Sequence, residues 1–422
     1  MNQAPRKTVA VLSLAALTLA GCGGGGGGDD ENVNLRFTWW GGDTRHAYTQ
    51  EIIDAFEEEH PDITITPEFD SWEGYWDALA TQSAARDTPD VMQMDLSYIR
   101  EYIENGLLLE LDQVETGAFT DELLATGSQD GTLYGMPVGS TSLAIMANES
   151  IFETAGVDMP DDDTWTWDEF AETAAEISEN SEAYGQARPF NDAGIGIWLR
   201  QHAGVDMVTE DGEVAWEPED AVPYFEMLGD SLDSGALASG SQVNEDRAAA
   251  LEQTMIATEG AAMDSWWDTQ IIVLSSNEGV ELTPLKFPSE AGDAAEAQLY
   301  YKPSMFYSVY EGSEHPEEAQ LFIDYLVNNE EAGRLQLIER GIPGNEDVRE
   351  AIRDDLDETE TSVLEHNESL EDIVAEAPPL PPEGFGAVQE IIWRYEEEFL
   401  FGRVSAEEAA QRMHDEIEAA LG

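Results

Sequence analysis

The chain has a single cysteine among its 422 residues, Cys22. No disulfide framework and no cysteine-based metal site can therefore support the body of the protein. Lysine is nearly as scarce, confined to Lys7, Lys286 and Lys302. With 18 Lys+Arg against 90 Asp+Glu, no basic stripe exists to neutralise phosphates, which excludes nucleic acid as a partner. The histidines (His46, His60, His202, His315, His366 and His414) are scattered without ligand spacing. The chain has no Gly-x-Ser-x-Gly elbow, no Walker loop and no His-Glu-x-x-His, and Gly194-Ile-Gly-Ile-Trp198 is too short for a dinucleotide loop. No metal or cofactor is implied. A glycoside hydrolase needs two carboxylates facing each other across a cleft, a criterion that selects nothing in so acidic a chain. After residue 20 no apolar run approaches the roughly 20 residues of a membrane span.

What is present begins with Arg6 and Lys7, followed by an apolar run over Val9–Ala20. That is the layout of a secretory signal, too short and wrongly flanked for a spanning helix. Leu19-Ala20-Gly21-Cys22 resembles the bacterial lipobox, which implies a signal peptide over 1–21 and lipidation of Cys22. Residues 22–32, with glycine from Gly23 to Gly28, read as a flexible tether. The expected location is the outer face of the cell membrane, held by a lipid anchor.

The net charge is −72, spread over the whole chain after residue 29. In dilute buffer such self-repulsion opposes compaction. At about 1 M salt the Debye length is about 3 Å and the repulsion is largely screened, so the composition reads as adaptation to a hypersaline medium. A local acidic patch for a cation or basic partner would concentrate the acids instead.

Leu35–Trp39 alternates as a strand, and a helix with Ile52, Ile53 and Phe56 on one face stops at His60-Pro61. Ile63–Ile65 is a second strand, Trp72–Ala85 a helix, Pro89–Asp95 a third strand and Tyr98–Gly106 a helix. This βαβαβ half favours an α/β fold with a parallel sheet. Gly131–Pro137 reads as a turn or hairpin, and Leu143–Met146 as a strand crossing to a second lobe. Residues 148–265 read as mostly helical, with a capping box at Thr166-Trp-Asp-Glu169. Strands return at Ile271–Leu274, Leu282–Phe287 and Phe306–Tyr310, and helices then dominate, interrupted by Pro378–Pro382.

In this order, Phe37–Gly41, Phe56–Ile63, Thr88–Asp95, Gly131–Pro137, Gly260–Trp266 and Pro316–Tyr325 are similar to extracellular solute-binding proteins of family 1, the maltose-binding-protein-like receptors of carbohydrate ABC importers. The resemblance implies a two-lobed periplasmic-binding-protein fold of type II with the ligand in the inter-lobe cleft. Lobe 1 is expected over 33–143 plus 269–327, and lobe 2 over 144–268 plus 328–422. It also implies a sugar or oligosaccharide ligand, ABC permease subunits as partners, and no catalysis. A polyamine binder, which also combines aromatics with carboxylates, stays open as an alternative, as does a secreted carbohydrate-active enzyme.

A sugar presents an apolar C–H face and a hydroxyl rim, calling for an aromatic plate and charged or amide groups. In open α/β sheets these belong at the carboxyl ends of strands. Trp39, Trp40 and Arg45 lie past the first strand, Asp70 and Trp72 past the second, and Asp95 at the end of the third. Trp198, the run Trp266, Trp267 and Asp268, and the pair Phe306 and Tyr307 complete the candidate ligand set. Arg45 and Arg200 stand out because bases are few. Trp76, Trp165, Trp167, Trp216 and Trp393 are assigned to packing.

Overall fold

The structure is a computed structural model that describes residues 32–190, 192–209, 211–382 and 384–422. The expected signal peptide, Cys22 and the tether up to residue 31 lie outside the described residues.

The first half is built as its periodicity predicts. Strand β1 (Val33–Trp40) alternates at its outer end and is buried on both faces at its inner end, the mark of a strand covered on both sides. Helix α1 (Asp43–Glu59) buries Ile52, Ile53 and Phe56 and stops before Pro61, whose ring disfavours a helical residue ahead of it. Strand β2 (Ile63–Asp70), α2 (Trp72–Ala85), β3 (Val91–Met94) and α3 (Leu96–Glu104) follow. Ser71 caps α2 by accepting from the Gly74 N–H, and Asp95 caps α3 by accepting from Ser97; each satisfies an otherwise orphaned amide. A short helix, α4 (Asp121–Ala125), and a hairpin of β4 (Ser128–Gln129) and β5 (Thr132–Leu133) lead to β6 (Met136–Pro137).

The chain then passes through β7 (Gly139–Thr141) into β8 (Leu143–Asn148). Helices α5 (Glu149–Ala155) and α6 (Trp167–Asn180), the latter with both halves of the expected capping box, precede β9 (Tyr184–Gln186). Helices α7 (Asp192–Ala203), α8 (Pro218–Asp233) and α9 (Gly240–Arg247) lead to β10 (Ala261–Trp267). After α10 (Ile271–Leu274) come β11 (Leu282–Leu285), β12 (Lys302–Pro303) and β13 (Phe306–Val309). Helices α11 (Pro316–Asn328) and α12 (Glu330–Gln336) are followed by β14 (Ile342–Pro343). The chain ends in α13 (Glu346–Ile352), α14 (Glu358–Ser369), α15 (Val388–Leu400) and α16 (Ala406–Leu421).

Two sheets organise two lobes. The first has order β2-β1-β3-β13-β6, with β1 parallel to β2 and β3 and with β13 antiparallel to β3 and β6. Its core gathers Phe37, Trp39, Phe56, Tyr307 and Phe322. The second has order β11-β8-β10-β9 and is covered by a larger core containing Trp165, Trp167, Trp198, Trp216 and Phe225. Between them lies a three-stranded sheet, β12-β7-β14, antiparallel throughout. Each of its strands carries the chain from one lobe to the other, so this small sheet is the hinge. At the third crossing Gly341 has φ +100°, and a Cβ there would collide with the Ser304 side chain, so only glycine fits.

Three expectations need correction. Ile271–Leu274 is helical, not a strand: a four-residue apolar run has no period to distinguish the two. Strand β10 begins within the stretch read as helical and runs past its end, its Ala-Ala-Met-Asp-Ser opening hiding the strand signal. The lobe boundaries also move. Residues 269–299, expected in lobe 1, supply β11 to the second sheet, and Ala332 of α12, expected in lobe 2, packs in the first core.

Candidate functional site

A cleft of about 820 Å³ opens between the lobes. On the lobe 1 side it is lined by Leu96 and Ser97 at the start of α3 and by Thr120, Leu123 and Thr126 around α4. Ser140, Pro303 and Gly344 of the hinge form its floor together with Trp267, Tyr300, Tyr301 and Lys302. The lobe 2 side offers Gly196 and Arg200 of α7, Met207, and the strap from Val374 to Pro381. Proline fixes φ and leaves no N–H, so this wall is stiff and mostly apolar. The rim is already bridged: an Arg100 N–H donates to the Leu380 carbonyl at 3.3 Å.

Trp267 is the expected residue that reaches this cleft most plainly. It ends β10, as Trp40 ends β1, and stands half-buried with the Lys302 ammonium 5.0 Å from its ring. Lys302 also lies 3.7 Å from the carboxylate of Asp95. Asp95 thus holds the end of α3 and steadies a cleft lysine from behind. Arg200 is pinned by Asp206 at 2.5 Å and donates to the Glu376 carbonyl at 2.7 Å, beside the Tyr300 ring.

The other expected residues divide by surroundings. Trp40 and Trp72 meet edge to face at 5.0 Å, in a cluster where Trp76 stacks on Tyr98 at 3.8 Å. Trp72 remains 43% exposed, and Tyr98 approaches Gly386 of the second lobe, so this cluster flanks the cleft mouth. Asp70 is exposed and accepts from the Ser71 N–H. Trp39, Phe306 and Tyr307 are fully buried in the first core and present no surface to a ligand in this conformation. Trp39 donates instead to His46 at 3.1 Å. Trp198 is sealed in the second core, stacked on His202 at 3.6 Å. Trp266 faces away from Trp267, as alternation along a strand requires; it donates to Asp264 at 2.7 Å under the Arg188 guanidinium.

Arg45 is spent within lobe 1. Its Nε bridges both oxygens of Glu339 at 3.1 and 2.9 Å, and a terminal nitrogen donates to the Trp40 carbonyl. Asp268 belongs to the hinge. Fully buried, its carboxylate accepts from Thr141 Oγ1 at 2.5 Å, Thr269 N at 2.7 Å, Ser142 N at 3.1 Å and Asn367 Nδ2 at 3.3 Å. Burial pushes its pKa up to about 6, against the pull of those donors. It therefore ties β7 to α14 beneath the cleft floor.

Tyr300, Tyr301, Lys302 and Arg349 were not singled out as ligand residues from the sequence. The scarcity of bases was the signal available for Lys302 and Arg349. Among the described residues, the acids with metal-like spacing are Asp161, Asp162 and Asp163. The Lys286 ammonium already sits there, 2.8 Å from Asp163 and 3.6 Å from Asp162. No helix among the described residues is long and apolar enough to cross a membrane.

Comparison with known proteins agrees with this architecture. A maltodextrin-binding protein of Bacillus subtilis is 22% identical, over 96% of this chain and 94% of its own. The structure of an extracellular solute-binding protein family 1 member from Alicyclobacillus acidocaldarius superposes with a TM-score of 0.72 at 25% identity, covering 92% of this chain and 98% of that one. A periplasmic oligogalacturonide-binding protein of Yersinia enterocolitica, in complex with saturated digalacturonic acid, reaches a TM-score of 0.80 at 22% identity, covering 92% and 100%. The family model for bacterial extracellular solute-binding proteins matches residues 41–333. The two lobes, the three-strand hinge and this match together place the chain in the bacterial extracellular solute-binding protein family, whose members bind solutes and do not transform them.

Proposed function

We propose that the protein is the sugar receptor of a carbohydrate ABC importer, closing its two lobes over an oligosaccharide in the cleft and delivering it to permease subunits. The observation that carries this reading is Trp267, an aromatic plate on the floor of an inter-lobe cleft flanked by hydrogen-bonding groups. A tryptophan face suits the C–H face of a sugar, while Tyr301, Lys302 and Asn367 suit its hydroxyl rim. The maltodextrin named for one relative and the digalacturonic acid bound by one structural neighbour support the class. Ligand bridging both lobes shifts the population toward the closed form, and that form is what a permease would read.

Cys22 carries the lipid anchor in this reading. Two or three acyl chains, at about 0.8 kcal/mol per buried CH2, hold a protein stably at a membrane. The acidic surface suits brine. A polyamine ligand is disfavoured by Lys302 and Arg349 at the cleft. A thermal-shift screen of mono- and oligosaccharides at about 3 M NaCl tests the proposal. Stabilisation by at least one oligosaccharide is expected; stabilisation by polyamines and by no sugar would overturn it.

A further inference from the structure

Ion pairing in this chain is close to obligatory. Among the described residues, both lysines and every arginine except Arg86, Arg340 and Arg349 have a carboxylate partner. Arg86 is exposed at the end of α2 and Arg340 is sealed in lobe 1. Arg349, on α13, is the exception that matters, because it lines the cleft. It is partly buried and shares the cleft lining with Tyr301, whose hydroxyl donates to the Asn367 carbonyl at 2.7 Å. Glu346, one turn earlier on the same helix, is exposed and forms no ion pair with it. A half-buried guanidinium left unpaired in a protein with five acids per base is a vacancy for an anion.

We infer that the ligand is an acidic oligosaccharide, built from uronic acid units, whose carboxylate is bound by Arg349 while its sugar ring lies on Trp267. This rests on the carbohydrate reading above and narrows it. Arginine meets a carboxylate with two parallel N–H bonds, a geometry that a neutral hydroxymethyl group cannot satisfy. A site holding an unpaired charge discriminates strongly against a ligand that leaves it unpaired. Lys302 adds a second positive group on the floor, already held by the loose 3.7 Å contact with Asp95. Arg200 is committed to Asp206 and Glu376 and contributes bulk charge only. The carboxylates of Glu122, Glu371 and Glu376 around the rim are exposed. In brine their repulsion toward an incoming anion fades within about 3 Å, whereas contact pairing inside the cleft persists.

The test is calorimetric titration at about 3 M NaCl with di- and trisaccharides of galacturonate, glucuronate, mannuronate and guluronate, each against its carboxyl-reduced neutral counterpart. At least one uronide is expected to bind about tenfold or more tightly than its reduced form. Arg349→Gln should cost that uronide about ten- to a hundredfold in affinity and leave the neutral counterpart within about twofold. Arg349→Lys, which keeps the charge but not the fork, should fall between. An unchanged melting temperature for the ligand-free variants confirms that folding is intact. Neutral sugars binding as well as uronides, or an Arg349→Gln protein that keeps the preference, would overturn the inference while leaving the carbohydrate reading standing. Binding of no sugar at all would remove both.

Discussion

Replacing Arg45 by methionine separates structural from ligand-binding roles at the end of β1. Arg45 is a scarce base at a strand end, the position where a sugar-binding group is expected, yet its guanidinium is consumed by Glu339 and the Trp40 carbonyl. The side chain is 11% exposed and that of Glu339 31%. Removing one partner from a fully buried pair costs about 3–5 kcal/mol. Because Glu339 reaches water, the solvated share lowers this to about 2–3 kcal/mol. Methionine fills much of the arginine stem's volume, so little cavity cost is added. Glu339 keeps its short contact with the Tyr48 hydroxyl, which limits the loss further. Urea denaturation at fixed high salt should show the lowered stability, and sugar affinity by calorimetry should stay within about twofold. A drop of tenfold or more in affinity with an unchanged urea midpoint would refute the structural assignment and return Arg45 to the ligand.

Stability should rise steeply as NaCl or KCl is raised into the molar range, because the net charge of −72 is screened; a melting temperature flat across that range would remove the halophilic reading. Asp264 and Asp268 are both raised by burial to about 6. The folded state therefore binds their protons more tightly than the unfolded chain does. Their contribution grows as pH falls from about 6 toward the ordinary carboxylate value near 4, and is lost as pH rises through 6. Proton uptake on folding, measured by calorimetry at pH 5 in buffers of different ionisation enthalpy, checks the sign; proton release would contradict it. In lobe 2, Glu396 is fully buried and accepts from the Tyr224 hydroxyl at 2.6 Å while paired with Arg247. Glu396→Gln should destabilise by about 3–5 kcal/mol, and replacing Glu396 and Arg247 together by leucine and methionine should recover much of that loss in urea melts.

The alternation of helix and strand over residues 33–104 was legible because its helices are long enough to show their period and short apolar strands alternate with them, with a clear stop at His60-Pro61. The hinge was not. Strands β7, β12 and β14 are two or three residues long, too short for any pattern, and are defined only by pairing across the molecule. The lobe boundaries failed for the same reason. Strand-end reasoning picked Trp267, which lines the cleft, and also Trp40 and Trp72, which cluster together outside its lining. It could not separate them from Trp39 and Tyr307, because alternation puts neighbouring residues on opposite faces and a one-residue step decides burial. Arg349 sits on a helix far along the chain, and only the folded structure reveals that it lines the cleft without an acid partner.

The central claim is that a sugar binds between the lobes on Trp267. Calorimetric titration of the Trp267→Ala protein at high salt, with the best oligosaccharide for the wild-type protein, tests it directly. The account predicts a loss of about 1–3 kcal/mol in binding free energy, the scale of one lost aromatic contact. An affinity equal to that of the wild-type protein would contradict it.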